Sequence, residues 1–188
     1  MTQPQQPPIE PDSIEPDSKD WTWVLSETCP QCEFDAAQFD VARTPMVTRA
    51  LASFWSAALR SGPEVGRRTS PGVWSVLEYG CHVRDVFLRF DGRLEQMLGE
   101  DAPQFENWDQ DATALELAYS EQDPEVVALE LLAAGERLAA RFETVAGQDW
   151  ARTGLRSDGA HFTVDSFARY FLHDPVHHCF DIGARFEV

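Results

Sequence analysis

Apolar side chains recur at helical spacing in four long segments of the chain. These segments cover about residues 37 to 60, 75 to 98, 124 to 145 and 163 to 185. An apolar residue at every third or fourth position is typical of a helix that buries one face. The pattern therefore predicts four long helices, and no segment shows a convincing strand-like alternation.

The starts of the second and third segments carry specific helix signals. Ser75 and Glu78 have the spacing of a capping box, and Trp74 and Tyr79 occupy the two positions of a hydrophobic staple. The third segment opens on Asp123-Pro124, an N-cap residue followed by proline at the first helical position. These signals fix two helix starts independently of the apolar pattern.

The predicted fold is all-α, an up-and-down four-helix bundle with a long crossover loop. The loop covers about residues 99 to 122, is rich in polar residues, and serves either as a lid or only as a crossover. Residues 1–20 contain five prolines among polar side chains and are predicted to be a disordered tail. Residues 21–188 are predicted to form one domain.

Net charge narrows the choice of partners. The 188-residue chain has 32 acidic and 15 basic residues, a formal charge of −17, so it would repel nucleic-acid phosphates and an anionic membrane surface. No apolar stretch approaches the roughly 20 residues that a membrane span needs. We expect a soluble cytoplasmic protein that binds neither nucleic acid nor membrane.

Histidines on two predicted helices suggest a metal site. His173 and His177 are four residues apart, so their side chains leave the same face of the fourth helix. His82 lies about two turns into the second helix, where it is expected to face the interior. We predict that these three residues bind one divalent metal ion. Glu78 is one turn away, but the capping box already accounts for it.

Nearby residues modify this prediction. Asp85, Asp174 and Asp181 stand at offsets that allow a carboxylate to accept a hydrogen bond from a ligand histidine. For Asp174, an ordinary solvated helix charge is the favoured interpretation. Pro175 removes one backbone hydrogen bond between the two histidines and is expected to kink or widen the helix. His178 is expected to point away from the ligand face, and His161 to lie in the loop before the fourth helix.

The four cysteines are expected to be reduced thiols rather than a disulfide framework. Cys29 and Cys32 form a C-x-x-C motif, which could be half of a structural zinc site or a redox dithiol. No second pair or nearby histidine in the sequence completes such a site, so packing or a tight turn is the favoured interpretation. Cys81 and Cys179 are expected to be small buried side chains.

Two stretches of this sequence resemble the DinB superfamily, which includes mycothiol-dependent maleylpyruvate isomerases and bacillithiol transferases. They are GVWSVLEYGCHVRD, residues 72–85, and LHDPVHHCFDI, residues 172–182. They are similar to the family's Trp-Ser-x-x-Glu-Tyr-x-x-His and His-x-x-x-His segments. The resemblance covers about residues 37 to 186 and implies a four-helix bundle with a three-histidine site for Zn²⁺ or Ni²⁺.

The resemblance further implies a thiol-dependent enzyme. Mycothiol or another small thiol would bind the metal as thiolate and attack a small electrophile, giving S-transfer or isomerisation. Arg84 could orient an anionic group, although a salt bridge with Asp85 explains it more simply. Two alternatives stay open: a hydrolase that uses metal-bound hydroxide, with Asp85 or Asp181 accepting a proton, and a non-catalytic metal-binding stress-response protein. A homodimer is also compatible with the family.

Overall fold

The computed structural model describes residues 21–188, so the predicted tail and the domain boundary at residue 20 lie outside the described residues. Its long helices are α1 Thr44–Leu59, α2 Val76–Gly99, α4 Pro124–Glu143 and α5 Val164–Asp181, and a short helix, α3 Gln110–Glu116, lies in the crossover. The four long helices pack around one core and confirm the predicted all-α bundle. No helix among these residues is both long and apolar enough to cross a membrane.

The predicted start of α2 is confirmed in detail. The Ser75 hydroxyl accepts a hydrogen bond from the Glu78 backbone N–H at 3.2 Å, and the Glu78 carboxylate accepts one from the Ser75 N–H at 2.8 Å. The rings of Trp74 and Tyr79 lie 5.5 Å apart, as a hydrophobic staple requires. The cap thus fixes the rotation of the helix that carries His82.

Two helix ends differ from the prediction. Helix α1 begins at Thr44 rather than near residue 37, because Asp40 caps a separate 3-10 turn, Val41–Arg43. Helix α5 ends at Asp181 rather than near residue 185, because Gly183 adopts a left-handed conformation with φ of 76°. A glycine just beyond the last turn is the usual way to end a helix.

The structure also contains three short strands that were not predicted. They are β1 Gln104–Phe105, β2 Thr153–Arg156 and β3 His161–Thr163, with β1 parallel and β3 antiparallel to β2. Strands of two to four residues are too short to show an alternating pattern. The small sheet packs against the end of α2, where a side chain at Gly154 would collide with Met97 and Phe105.

Helix α5 is tied to the rest of the bundle at its internal proline. Helix geometry continues through Pro175, and the Trp55 indole N–H donates to the Pro175 carbonyl at 3.2 Å. Cys179 and Cys81 are fully buried, which confirms their expected roles as small core side chains. The buried tryptophan therefore fixes α5 at the position between His173 and His177.

Glycine substitutions test the close approach of α1 and α4. A Cβ at Gly135 would lie 2.6 Å from Ala52 Cβ, closer than van der Waals contact allows. We expect Gly135→Ala to lower the free energy of unfolding by about 1–2 kcal/mol, because overpacking exceeds the gain in helix propensity. Urea denaturation measures this change.

Gly92 provides the matched control, because a Cβ there meets nothing within 4 Å. Gly92→Ala on α2 is expected to raise the free energy of unfolding by about 0.5–1 kcal/mol. If Gly135→Ala stabilises the protein as much as Gly92→Ala does, the two helices do not pack as described.

Candidate metal centre

Helix α5 carries two interlaced pairs of side chains that can bind a metal. His173 and His177 form one pair, and Asp174 and His178 form the other, each with a spacing of four residues. Because successive residues are rotated by about 100° around a helix, the two pairs face different directions. One pair faces the segment that precedes α1, and the other faces α2.

The first group of donors is His82, Asp174 and His178, which we call the His-Asp cluster. Its ligand atoms all lie within 4.8 Å of one another. His82 Nε2 is 3.4 Å from Asp174 Oδ1, but within residues 21–188 neither atom, nor His82 Nδ1, has a hydrogen-bond partner. Because buried polar atoms are almost always paired, this donor set fits a divalent metal ion.

Neighbouring side chains hold the His-Asp cluster in place. The His82 ring stacks on Trp108 with ring centres 5.5 Å apart and an interplanar angle of 6°. His178 Nδ1 is 2.7 Å from an Asp181 carboxylate oxygen, which leaves His178 Nε2 to face His82 and Asp174. A carboxylate behind a ligand histidine fixes its ring and tautomer.

Asp174 supplies a negative charge to the His-Asp cluster. Burial raises the pKa of Asp174, but the neighbouring His82 and His178 side chains outweigh burial and lower it to about 2. Asp174 is therefore ionised at neutral pH. Burial, together with the Asp181 charge, raises the pKa of Tyr79, so that phenol stays protonated and can donate to Asp181.

The second group of donors is Cys29, Cys32, His173 and His177, which we call the Cys-His cluster. Its ligand atoms also lie within 4.8 Å of one another, and Cys29 Sγ is 3.5 Å from His177 Nδ1. Burial lowers the pKa of His173 to about 4, so its imidazole is neutral at physiological pH. The histidines missing from the C-x-x-C motif in sequence are thus supplied from α5.

The predicted ligands are distributed over both clusters. His173 and His177 do lie together, but they group with the two cysteines, whereas His82 groups with Asp174 and His178. His178 points away from the His173 face, as expected, but this direction takes it towards His82. Asp181 lies closer to His178 than to His177, at 2.7 Å against 3.9 Å. The signal that was overlooked is the four-residue spacing of Asp174 and His178.

The α5 residues of both clusters, Asp174 with His178 and His173 with His177, line one cavity of about 460 Å³. Its wall also contains Trp21, Trp108, Arg93, Arg156 and Tyr170. Arg156 is paired with Asp158, whereas no carboxylate in residues 21–188 lies within ion-pair distance of Arg93. Burial, with the nearby charges of Arg89 and Arg156, lowers the pKa of Arg93 to about 10, so it remains a cation at neutral pH.

Helices α2 and α5, which carry the His-Asp cluster, both lie in a region that matches a known protein family. The sequence profile of the DinB superfamily matches residues 38–182, which include α2 and α5. The chain belongs to the DinB superfamily. No curated protein matches the chain significantly.

Two solved structures share the fold of this chain. The first is YfiT from Bacillus subtilis, described as a probable metal-dependent hydrolase with an unusual four-helix bundle topology. It has a TM-score of 0.68 and 18% identity over 82% of this chain and 89% of that one. The second is a mycothiol-dependent maleylpyruvate isomerase, with a TM-score of 0.60 and 14% identity over 79% of this chain and 63% of that one. At these identities the likeness establishes the fold alone.

Arg84 and Asp85 were predicted as catalytic residues, and in the structure they pair with each other at 2.8 Å. Arg84 also binds Glu130, and Asp85 accepts a hydrogen bond from the Tyr119 hydroxyl. Neither residue lines the cavity beside the His-Asp cluster. His161 lies exposed in β3, also outside that cavity.

Asp181 provides a test of the His-Asp cluster. Asp181→Asn removes the carboxylate that orients His178, and we expect the affinity of this cluster for Zn²⁺ to fall about 10- to 100-fold. Titration against a chromogenic chelator measures it. Asp165→Asn, on the same helix but outside both clusters, is the control. An unchanged affinity in Asp181→Asn would contradict the assigned role.

Proposed function

We propose that this protein is a metal-dependent enzyme whose His-Asp cluster binds Zn²⁺ or Ni²⁺ and whose cavity admits a small electrophile and a small thiol such as mycothiol. The observation that carries the proposal is the set of buried ligand atoms on His82 and Asp174 that have no hydrogen-bond partner within residues 21–188, beside His178 at the cavity wall. This assignment revises the three-histidine prediction by exchanging His173 and His177 for Asp174 and His178.

The number of donors favours a catalytic site. Two imidazoles and one carboxylate leave a coordination position for substrate, as in catalytic zinc sites that have three protein ligands. A divalent ion bound there supplies a Lewis acid that lowers the pKa of a thiol or water molecule. Asp174 and His178 line the cavity, so a ligand in the cavity can approach the cluster directly.

The chain's own residues position the reactants. Asp181 holds His178 by its hydrogen bond, and Trp108 covers one face of His82. Trp108 is itself fixed by a hydrogen bond of 2.8 Å to Thr113 in α3. The crossover, predicted to be either a lid or a simple connection, therefore forms one side of the site. Water is kept from that side of His82 by the indole ring.

Arg93 is the residue that selects substrates by charge. Its guanidinium lies over the rings of Phe90 and Phe105, at 5.9 and 5.5 Å, and donates to the Glu106 carbonyl. Because no carboxylate among residues 21–188 pairs with this partly buried cation, it retains most of its capacity to bind an anion. In a protein of net charge −17, this points to a substrate that carries a carboxylate or similar group.

Two reaction classes are compatible with this site. The isomerase among the structural neighbours is described as mycothiol-dependent, which supports a thiol as the attacking group. YfiT is described as a probable hydrolase, which supports water instead. We favour the thiol reaction, with hydrolysis as the second candidate. A non-catalytic metal-binding protein, a homodimer and a cytoplasmic location remain predictions from sequence.

The reaction class is tested with the zinc-loaded protein, a small carboxylate-bearing electrophile and mycothiol. We expect turnover only when thiol is present, detected as an S-adduct or isomer by mass spectrometry. His82→Ala is expected to abolish it, because one of the three donors is lost. Thiol-independent hydrolysis would favour the second candidate, and no turnover in any condition would favour the non-catalytic interpretation.

Arg93→Gln tests the proposed anion site. We expect KM for an anionic substrate to rise about 10- to 100-fold, the effect of losing a charged hydrogen bond, with little change in kcat. A neutral analogue should show no change. Arg137→Gln, on the outer face of α4, is the control because Arg137 pairs with Asp91 outside the cavity. Equal loss for both substrates would contradict the assignment.

A further inference from the structure

We infer that Cys29, Cys32, His173 and His177 form a second metal site, a closed zinc site that fastens the segment before α1 to helix α5. The four residues come from two regions of the chain, the C-x-x-C turn and the middle of α5. This inference concerns a site separate from the His-Asp cluster and does not depend on the proposed reaction.

The side chains of the Cys-His cluster match the ligands of a structural zinc site. Two thiols and two imidazoles are the ligands of structural Cys₂His₂ zinc sites, which are tetrahedral and leave no position open. In such a site a sulfur and a nitrogen ligand stand about 3.5 Å apart, given zinc–sulfur and zinc–nitrogen bonds of about 2.3 and 2.0 Å. The separation of Cys29 Sγ and His177 Nδ1 is 3.5 Å.

Most of the ligand side chains in the Cys-His cluster are shielded from solvent. Cys29, His173 and His177 are buried, and His173 Nε2 has no hydrogen-bond partner within the described part of the chain. Zn²⁺ would displace one proton from each thiol, and two thiolates with two neutral imidazoles would then balance its charge. A buried site without net charge avoids the cost of an unpaired ion.

The backbone of the C-x-x-C segment forms a tight, hydrogen-bonded turn. The Cys29 N–H donates to the Phe34 carbonyl at 3.0 Å, and the Glu33 N–H donates to the Cys29 carbonyl at 2.9 Å. Glu33 takes a left-handed conformation with φ of 63°, which turns the chain sharply after Cys32. The turn thus presents both sulfurs to α5.

The position of the site suggests what it does. The turn Trp21–Leu25 precedes the cysteines and packs on α5, with the Trp21 ring 5.1 Å from His177 and 5.5 Å from His173. Trp21 also lines the cavity of the His-Asp cluster. An ion held by residues 148 positions apart would join the two ends of the domain and hold this cavity wall in place.

Cobalt substitution tests the second site in the full-length protein. Co²⁺ bound by thiolates shows an intense sulfur-to-metal charge-transfer absorption, which nitrogen and oxygen ligands do not give. We expect wild-type protein to bind about two Co²⁺ ions per chain and to show this absorption. The spectrum of the wild type is informative even if a ligand variant fails to fold.

Single substitutions separate the two sites. Cys32→Ser is expected to bind about one ion and to lose the charge-transfer absorption, whereas His82→Ala should bind about one ion and keep it. Cys81→Ala, which removes a buried thiol outside both clusters, should keep both ions.

Other results would overturn the inference. A wild-type cobalt spectrum without the thiolate charge-transfer absorption would do so. The same would hold if that absorption survived in Cys32→Ser, or if protein purified under reducing conditions contained a Cys29–Cys32 disulfide. The last result would indicate a redox dithiol instead. Failure of the proposed reaction would not affect these measurements, because they report metal ligation and not turnover.

Discussion

Helix α5 advances by about 100° per residue, so its two pairs of donors, His173 with His177 and Asp174 with His178, cannot face the same direction. Each pair therefore needs partners from a different part of the chain. Helix α2 supplies His82 to one pair, and the C-x-x-C turn supplies two thiols to the other. The architecture of the site follows from this constraint, because α2 and the segment before α1 must pack on adjacent faces of α5.

The rest of the structure maintains that arrangement. The capping box at Ser75 sets the rotation of α2, and the Trp55 indole holds the Pro175 carbonyl between the two donor pairs of α5. Aromatic rings then enclose the imidazoles, with Trp108 on His82 and Trp21 beside His177. Within the part of the chain that the structure describes, enclosure leaves several ligand atoms without hydrogen-bond partners, and metal ions would satisfy them.

The helices could be predicted from the sequence because each has a long apolar period and clear caps. The three short strands could not, since two to four residues give no period. The sequence pointed to some of the candidate ligands that the structure groups together, and the three-histidine metal site itself stays a prediction. The histidine pair on α5 drew attention because imidazoles are common ligands, and the equally spaced Asp174–His178 pair was overlooked. The partnership of Cys29 with His177 spans 148 positions and only becomes visible once the fold brings the two ends together.

The most direct test of the two-site arrangement is a crystal structure of the zinc-loaded protein with anomalous diffraction recorded on both sides of the zinc absorption edge. We predict two anomalous peaks in each chain, one among Cys29, Cys32, His173 and His177, and one among His82, Asp174 and His178. A single peak bound jointly by His82, His173 and His177 would contradict the division of ligands described here and would support the three-histidine site instead.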